Sequence, residues 1–146
     1  QGVSSAASDV YKRQIDMRID SLDVLNELIK KHNYPTVALG DFNISSKDDK
    51  KYQIYKNQEK YWYVGHRERC NACKGTYYYE GDKTWSYLDT ILIAKNRNLH
   101  FINTSINVWR TPFNSYIKSG KPISFDPISN AGVSDHLAMV AKLKFN

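Results

Sequence analysis

Thr36-Val37-Ala38-Leu39-Gly40-Asp41-Phe42-Asn43 is the stretch that decides the fold. Its apolar opening, closed by Gly40, predicts a short buried strand that runs into a polar turn. Upstream, Ile15, Ile19, Leu22, Leu25, Leu28 and Ile29 recur every three or four residues. That spacing predicts an amphipathic helix from Asp16 to His32. Asp16 and Asp20 near its start, and Lys30, Lys31 and His32 near its end, suit the helix dipole. Tyr34-Pro35 stops it, because the residue before a proline is pushed out of the helical region. Helix, short connector, strand and polar turn in that order predict a layered α/β or α+β domain.

The whole chain has 146 residues, 41% of them hydrophobic, with 21 basic and 15 acidic side chains for a net charge of +6. That length suits one domain able to bury roughly 70% of its unfolded surface. The apolar fraction excludes intrinsic disorder. No apolar run approaches the about 18 residues of a membrane span, so an integral membrane segment is not expected. Two cysteines are too few for a disulfide-stapled scaffold. The positive balance favours an anionic partner. The 11 tyrosines, several interleaved with lysines, turn that expectation toward nucleic acid.

Residues 1–14 read unlike the rest, being small and polar and lacking the apolar core of a signal peptide. The run from Val3 to Gln14 resembles translated adapter sequence and is set aside from fold reasoning. Residues 15–146 are then expected to carry the fold, as a C-terminal piece of a longer protein.

Lys47 to Lys74 is polar, basic and aromatic, and reads as a surface excursion with some helix. Thr76 to Tyr79 and Trp85 to Ala94 predict two strands around the turn Glu80-Gly81-Asp82-Lys83. Leu99 to Trp109 predicts another strand, and residues 111–132, with three prolines, a loop. Leu137, Met139, Ala141, Leu143 and Phe145 alternate with polar residues, which predicts a closing strand that is half solvated.

Three polar clusters sit at strand ends. In Gly40-Asp41-Phe42-Asn43, residues two apart in an extended chain point the same way, so Asp41 and Asn43 can address one site. A carboxylate beside an amide can hold a water and position a phosphate oxygen, although Gly, Asp and Asn also make ordinary turns. Asp89 lies inside the apolar run Trp85-Ser86-Tyr87-Leu88-Asp89-Thr90-Ile91-Leu92-Ile93-Ala94. A carboxylate there needs a partner, because an unpaired buried one protonates instead. Ser134-Asp135-His136 follows Gly132 and precedes the last strand. Asp135 can ligate a hard cation, and His136 can move a proton or stabilise charge on phosphorus. Each cluster alone also fits a structural role.

Taken in order, Gly40-Asp41-Phe42-Asn43, Ser86-Tyr87-Leu88-Asp89-Thr90-Ile91-Leu92 and Ser134-Asp135-His136-Leu137 resemble the endonuclease/exonuclease/phosphatase superfamily. The likeness runs from about Ile15 to the end and covers the second half of that fold. It implies an α+β chain forming the C-terminal half of a four-layer α/β/β/α sandwich. It implies water attack on a phosphate ester assisted by Mg²⁺ or Mn²⁺. Asp41 would orient or deprotonate the water, and Asn43 and His136 would hold the phosphate. Asp89 would fix the His136 ring through its other nitrogen, and Asp135 would help bind the metal. The family's first half supplies an Asn, a metal-binding Glu and a His that no motif here matches, so this piece is expected to be inactive alone. The nearest other activities are lipid and inositol phosphate phosphatases.

Cys70-Asn71-Ala72-Cys73 has the spacing of a zinc knuckle or redox pair. Only His66 lies nearby as a further ligand, and a pair of structural cysteines, free or bridged, fits as well. A reading from another class is a non-catalytic nucleic-acid-binding module. It would grip phosphates with Lys50 and Lys51 and stack bases on Tyr52 and Tyr55.

Overall fold

A computed structural model describes residues 2–68, 70, 73–95, 98–102 and 105–145, with backbone alone for residues 2–6. The chain is α+β. A long helix α1 (Gly2–Lys31) packs on a three-stranded antiparallel sheet of β1 (Val37–Asp41), β5 (Asp89–Ala94) and β2 (Trp62–Val64), in the order β1-β5-β2. Two short helices, α2 (Ser46–Tyr52) and α3 (Ile54–Gln58), join β1 to β2, and a 3₁₀ turn (Gly65–Arg67) follows. A hairpin of β3 (Tyr77–Tyr79) and β4 (Thr84–Ser86) leads into β5. The closing segments pair as β6 (Leu99–Phe101) with β9 (Leu143–Phe145) and β7 (Asn107–Val108) with β8 (Met139–Val140). No helix among the described residues is long and apolar enough to cross a membrane.

The core lies between α1 and one face of the sheet. Ile15, Leu22 and Ile29 of α1 meet Leu92 and Ala94 of β5, Trp62 and Val64 of β2, and Ile54 and Tyr55 of α3. Asn26 is buried within this layer. Its Oδ1 accepts from the Trp62 indole at 2.7 Å, and its amide donates to Gln58 Oε1 at 2.8 Å. Both ends of the buried Asn26 amide thus find partners, as burial in a low-dielectric interior demands.

Several sequence expectations are corrected here. The helix begins at Gly2 rather than Asp16, so Asp16 and Asp20 lie in its middle and its first turn holds no acid. Ala6, Ala7, Lys12, Arg13 and Gln14 are good helix formers, and adding them to a helix already nucleated by packing costs little. Leu28 is exposed, because the buried stripe runs through Ile15, Leu22, Asn26 and Ile29. The strand from Val37 is not buried. Among the described residues β1 pairs with β5 on one edge only, and Leu39 is 72% exposed.

The excursion is more than surface. Trp62 and Val64 alternate with Tyr63 toward the core, and Ile54 and Tyr55 are fully covered. The single strand expected over 85–94 is two, since β4 pairs with β3 while β5 crosses to β1 and β2. The strand expected over 99–109 also divides, into β6 and β7, with residues 103 and 104 outside the described set. The last strand divides into β8 and β9. Leu137 is buried there, but Leu143 and Phe145 are exposed. Cys70 and Cys73 are joined by a disulfide, so neither is left as a zinc ligand.

Candidate active site

The antiparallel register of β1 and β5 sets Asp41 directly opposite Asp89. Directly opposed residues in such a pair share a face, with Cβ atoms about 5 Å apart. From the far end of the chain, His136 reaches the same place. Its Nδ1 lies 2.8 Å from Asp89 Oδ2, with both side chains about one-fifth exposed. One potential ligand atom from each of Asp41, Asp89 and His136 lies within 4.8 Å of the others. The partner that Asp89 requires is therefore a histidine whose second ring nitrogen, Nε2, is left for other work.

What brings His136 there is Thr76, a residue the sequence reading did not single out for chemistry. Thr76 is fully buried. Its Oγ1 accepts the Asp89 N–H at 3.2 Å, and its carbonyl accepts the Leu137 N–H at 2.8 Å. Tyr77 bridges to His136 in the next step, and their rings lie 4.9 Å apart. One short segment therefore ties the strand bearing Asp89 to the segment bearing His136. The available signal was Gly75: a Cβ there would meet the Ser86 carbonyl oxygen at 2.5 Å, so only glycine lets the hairpin close this tightly. Gly132 plays a similar part before Ser134. It takes φ +75°, and a Cβ would meet the Ser124 carbonyl oxygen at 2.1 Å. It is a tight contact point against the 123–124 backbone.

Asn43 is placed differently from the extended geometry expected of it. It adopts φ 54°, in the left-handed region that Asn tolerates, and its N–H donates to Asp41 Oδ1 at 2.7 Å. Asp41 and Asn43 share a turn and are both exposed, so the turn chemistry and the proximity hold together. Asp135 stands outside the trio. It is exposed and lines a cleft of about 600 Å³ with Tyr77, Tyr79, Tyr116 and Lys121. A second cleft of about 490 Å³ is lined by Ser45, Lys47, Lys50, Trp85 and Leu88, and shares Tyr77 and Tyr79 with the first.

Behind the sheet, His66 stacks on Tyr87 with ring centroids 5.1 Å apart, and its Nδ1 lies 2.9 Å from Thr90 Oγ1. Burial, aided by neighbouring Arg67, pushes its pKa down to about 4, so it is neutral at pH 7. Tyr55 packs edge-on to His66 at 4.7 Å, and burial raises its phenol above the ordinary range. Tyr55 is 0% exposed and cannot stack a base, while Lys51 lies over the Tyr52 ring at 4.8 Å. Three of the four residues named for a simple nucleic-acid module, Lys51, Tyr52 and Tyr55, are therefore engaged within the protein.

Compared with known proteins, the chain matches no family model, no curated protein and no solved structure.

Proposed function

We propose that the chain carries the C-terminal half of a four-layer endonuclease/exonuclease/phosphatase sandwich, and that its parent hydrolyses phosphate esters with a divalent metal. The reading rests on the three sequence motifs. One observation carries it: the 2.8 Å pair of His136 Nδ1 and Asp89 Oδ2, with Asp41 on the neighbouring strand. A carboxylate-oriented imidazole beside a second, solvated carboxylate is a donor set suited to moving a proton and holding phosphate oxygens.

Asp89 fixes the His136 ring, so that Nε2 faces the phosphate and either donates a hydrogen bond to it or carries charge against it. Asp41 takes or steers the proton of the attacking water. Its position on the solvated edge strand keeps the carboxylate available for that task. Asn43 offers an amide to a phosphate oxygen from the same turn. Carboxylates with one imidazole fit Mg²⁺ or Mn²⁺, and Asp41 and Asp135 are the exposed carboxylates that would help hold it. When bound, the metal supplies stabilisation of the charge that builds on phosphate oxygens. A nuclease is favoured over a lipid or inositol phosphate phosphatase by Lys47, Lys50 and the tyrosines in the adjoining clefts.

The test compares the chain alone with the chain extended upstream along its own reading frame, using bis(p-nitrophenyl) phosphate and Mg²⁺, with and without EDTA. The expected result is turnover only in the extended protein, abolished by EDTA and lowered about 10²–10⁴-fold by His136→Ala. Turnover that survives EDTA or His136→Ala would overturn the proposal. Oligonucleotide binding without hydrolysis in either protein would favour the binding-module reading.

A further inference from the structure

The two clefts differ in charge. The tyrosine cleft brings Glu80, Asp126 and Asp135 against one ammonium, Lys121, a balance of −2. Lys121 is also spent: its Nζ lies 2.9 Å from Glu80 Oε1 and 4.0 Å from the Tyr78 ring centroid. Asp126 and Asp135 thus face the cleft with no cation paired to them among the described residues. The other cleft brings Lys47 and Lys50 against Asp82, a balance of +1, and neither lysine makes an ion pair among the described residues. Both clefts adjoin the candidate site. Asp135 precedes His136 in one, Leu88 precedes Asp89 in the other, and Tyr77 against His136 forms part of the wall between them.

A phosphodiester held at Asp41, Asn43 and His136 has two substituents, and the clefts that meet at Tyr77, beside His136, offer a place for each. A further phosphate on one side meets two unpaired ammonium groups. On the other side it meets Asp126, a carboxylate apart from the metal role given to Asp135 and paired with no cation among the described residues, and like charge repels it. An uncharged nucleoside suits the second cleft better, because the rings of Tyr79 and Tyr116 offer stacking surface and the carboxylates accept from hydroxyl and amino groups.

Resting on the phosphoester reading, we propose that the substrate is a nucleic-acid chain end: the strand continues along Lys47 and Lys50, and the terminal, unphosphorylated nucleoside occupies the tyrosine cleft. The bond chosen is then the one next to an end, and an internal bond is disfavoured by the second cleft.

The experiment measures binding of three dithymidine ligands, TpT, pTpT and TpTp, to the chain by calorimetry in EDTA at low ionic strength. Of the two end-phosphorylated ligands, one is expected to bind about threefold to tenfold tighter than TpT and the other weaker by a similar factor. Asp126→Lys is expected to restore the weakened ligand to at least the affinity of TpT while leaving the favoured one unchanged. Because Asp126 also caps the turn to Ile128 through its carboxylate, Ser124→Lys on the same wall provides an independent version of the test. Equal strengthening of both ligands, or no binding of any of the three, would overturn the proposal. Hydrolysis is not read in this assay. Failure of EDTA-sensitive turnover in the extended protein therefore counts against the phosphoester reading, and loss of the asymmetry counts against this one.

Discussion

Asp41 and Asp89 face each other across one pair of strands, yet the protein holds them by opposite means. Asp89 is half-buried on the central strand. Its carboxylate is bound by His136 and its N–H by Thr76, so two other chain segments fix it. Asp41 is exposed on the edge strand, and its carboxylate accepts the N–H of Asn43, two residues away. The first carboxylate is placed by tertiary structure and the second by a local turn. In the proposed chemistry that division is useful: the orienting group has to be rigid, whereas the group that meets water has to remain solvated.

The strongest way to break this comparison is to remove each carboxylate and read two quantities. In the extended protein, Asp89→Asn and Asp41→Asn are both expected to lower turnover about 10²–10⁴-fold, the range of a lost acid–base or orienting group. Only Asp89→Ala is expected to cost stability, about 1–3 kcal/mol, because it leaves a part-buried imidazole without its acceptor. Urea unfolding of the isolated chain checks the second part. Equal stability losses at the two positions would show that the contrast in anchoring is false.

Next in size is the support behind β5. His66 contacts Thr90, the neighbour of Asp89, and is held neutral by burial with its pKa near 4, below the ordinary value of 6.5. Between those two values the unfolded chain binds the proton and the folded chain does not. Stability is therefore complete above about pH 6.5 and falls as pH drops toward 4, by about 3 kcal/mol in all. Melting temperatures measured from pH 7.5 to 4 check this. His66→Gln should flatten that part of the profile, and an unchanged slope would remove His66 from the account.

How much of this was legible in the sequence follows the same division. Asp89 inside an apolar run demanded a partner, and the resemblance named His136, the residue found beside it. That β1 is an edge strand was not legible: an apolar run between Pro35 and Gly40 reads alike at the centre or the edge, because a strand's neighbours are set by distant residues. The lysines around Trp62-Tyr63-Val64 hid a core strand whose period-2 alternation was present. The alternation after Leu137 was real through Ala141 but overextended to Leu143 and Phe145, which have little to pack against. The turn that places Asn43 was visible as turn chemistry, while Thr76 gave no signal of its own beyond the glycine before it.

A smaller effect separates the threonine's hydroxyl from its bulk. Thr76→Val keeps the volume and removes the acceptor of the Asp89 N–H. The expected cost is about 1–2 kcal/mol, since a part-buried donor is left unpaired. Thr76→Ser should recover most of it in the same urea titration. If Thr76→Val unfolds at the same urea concentration as the parent, the threonine does not fix Asp89.

The smallest expected effect is the most discriminating for Asp41. Asp41→Asn keeps an oxygen that can accept the Asn43 N–H, so the turn retains its hydrogen bond. The side chain is exposed and no cation pairs with it among the described residues, so losing the charge costs little. Stability is expected to change by less than about 0.5 kcal/mol, the range of surface substitutions that break no special feature. The turnover of the extended protein would meanwhile be lost. Equilibrium unfolding and the EDTA-controlled assay, run on the same preparation, read both. A destabilisation above about 1 kcal/mol would mean that the Asp41 charge is part of the fold's own support, and the loss of turnover could then no longer be assigned to water activation.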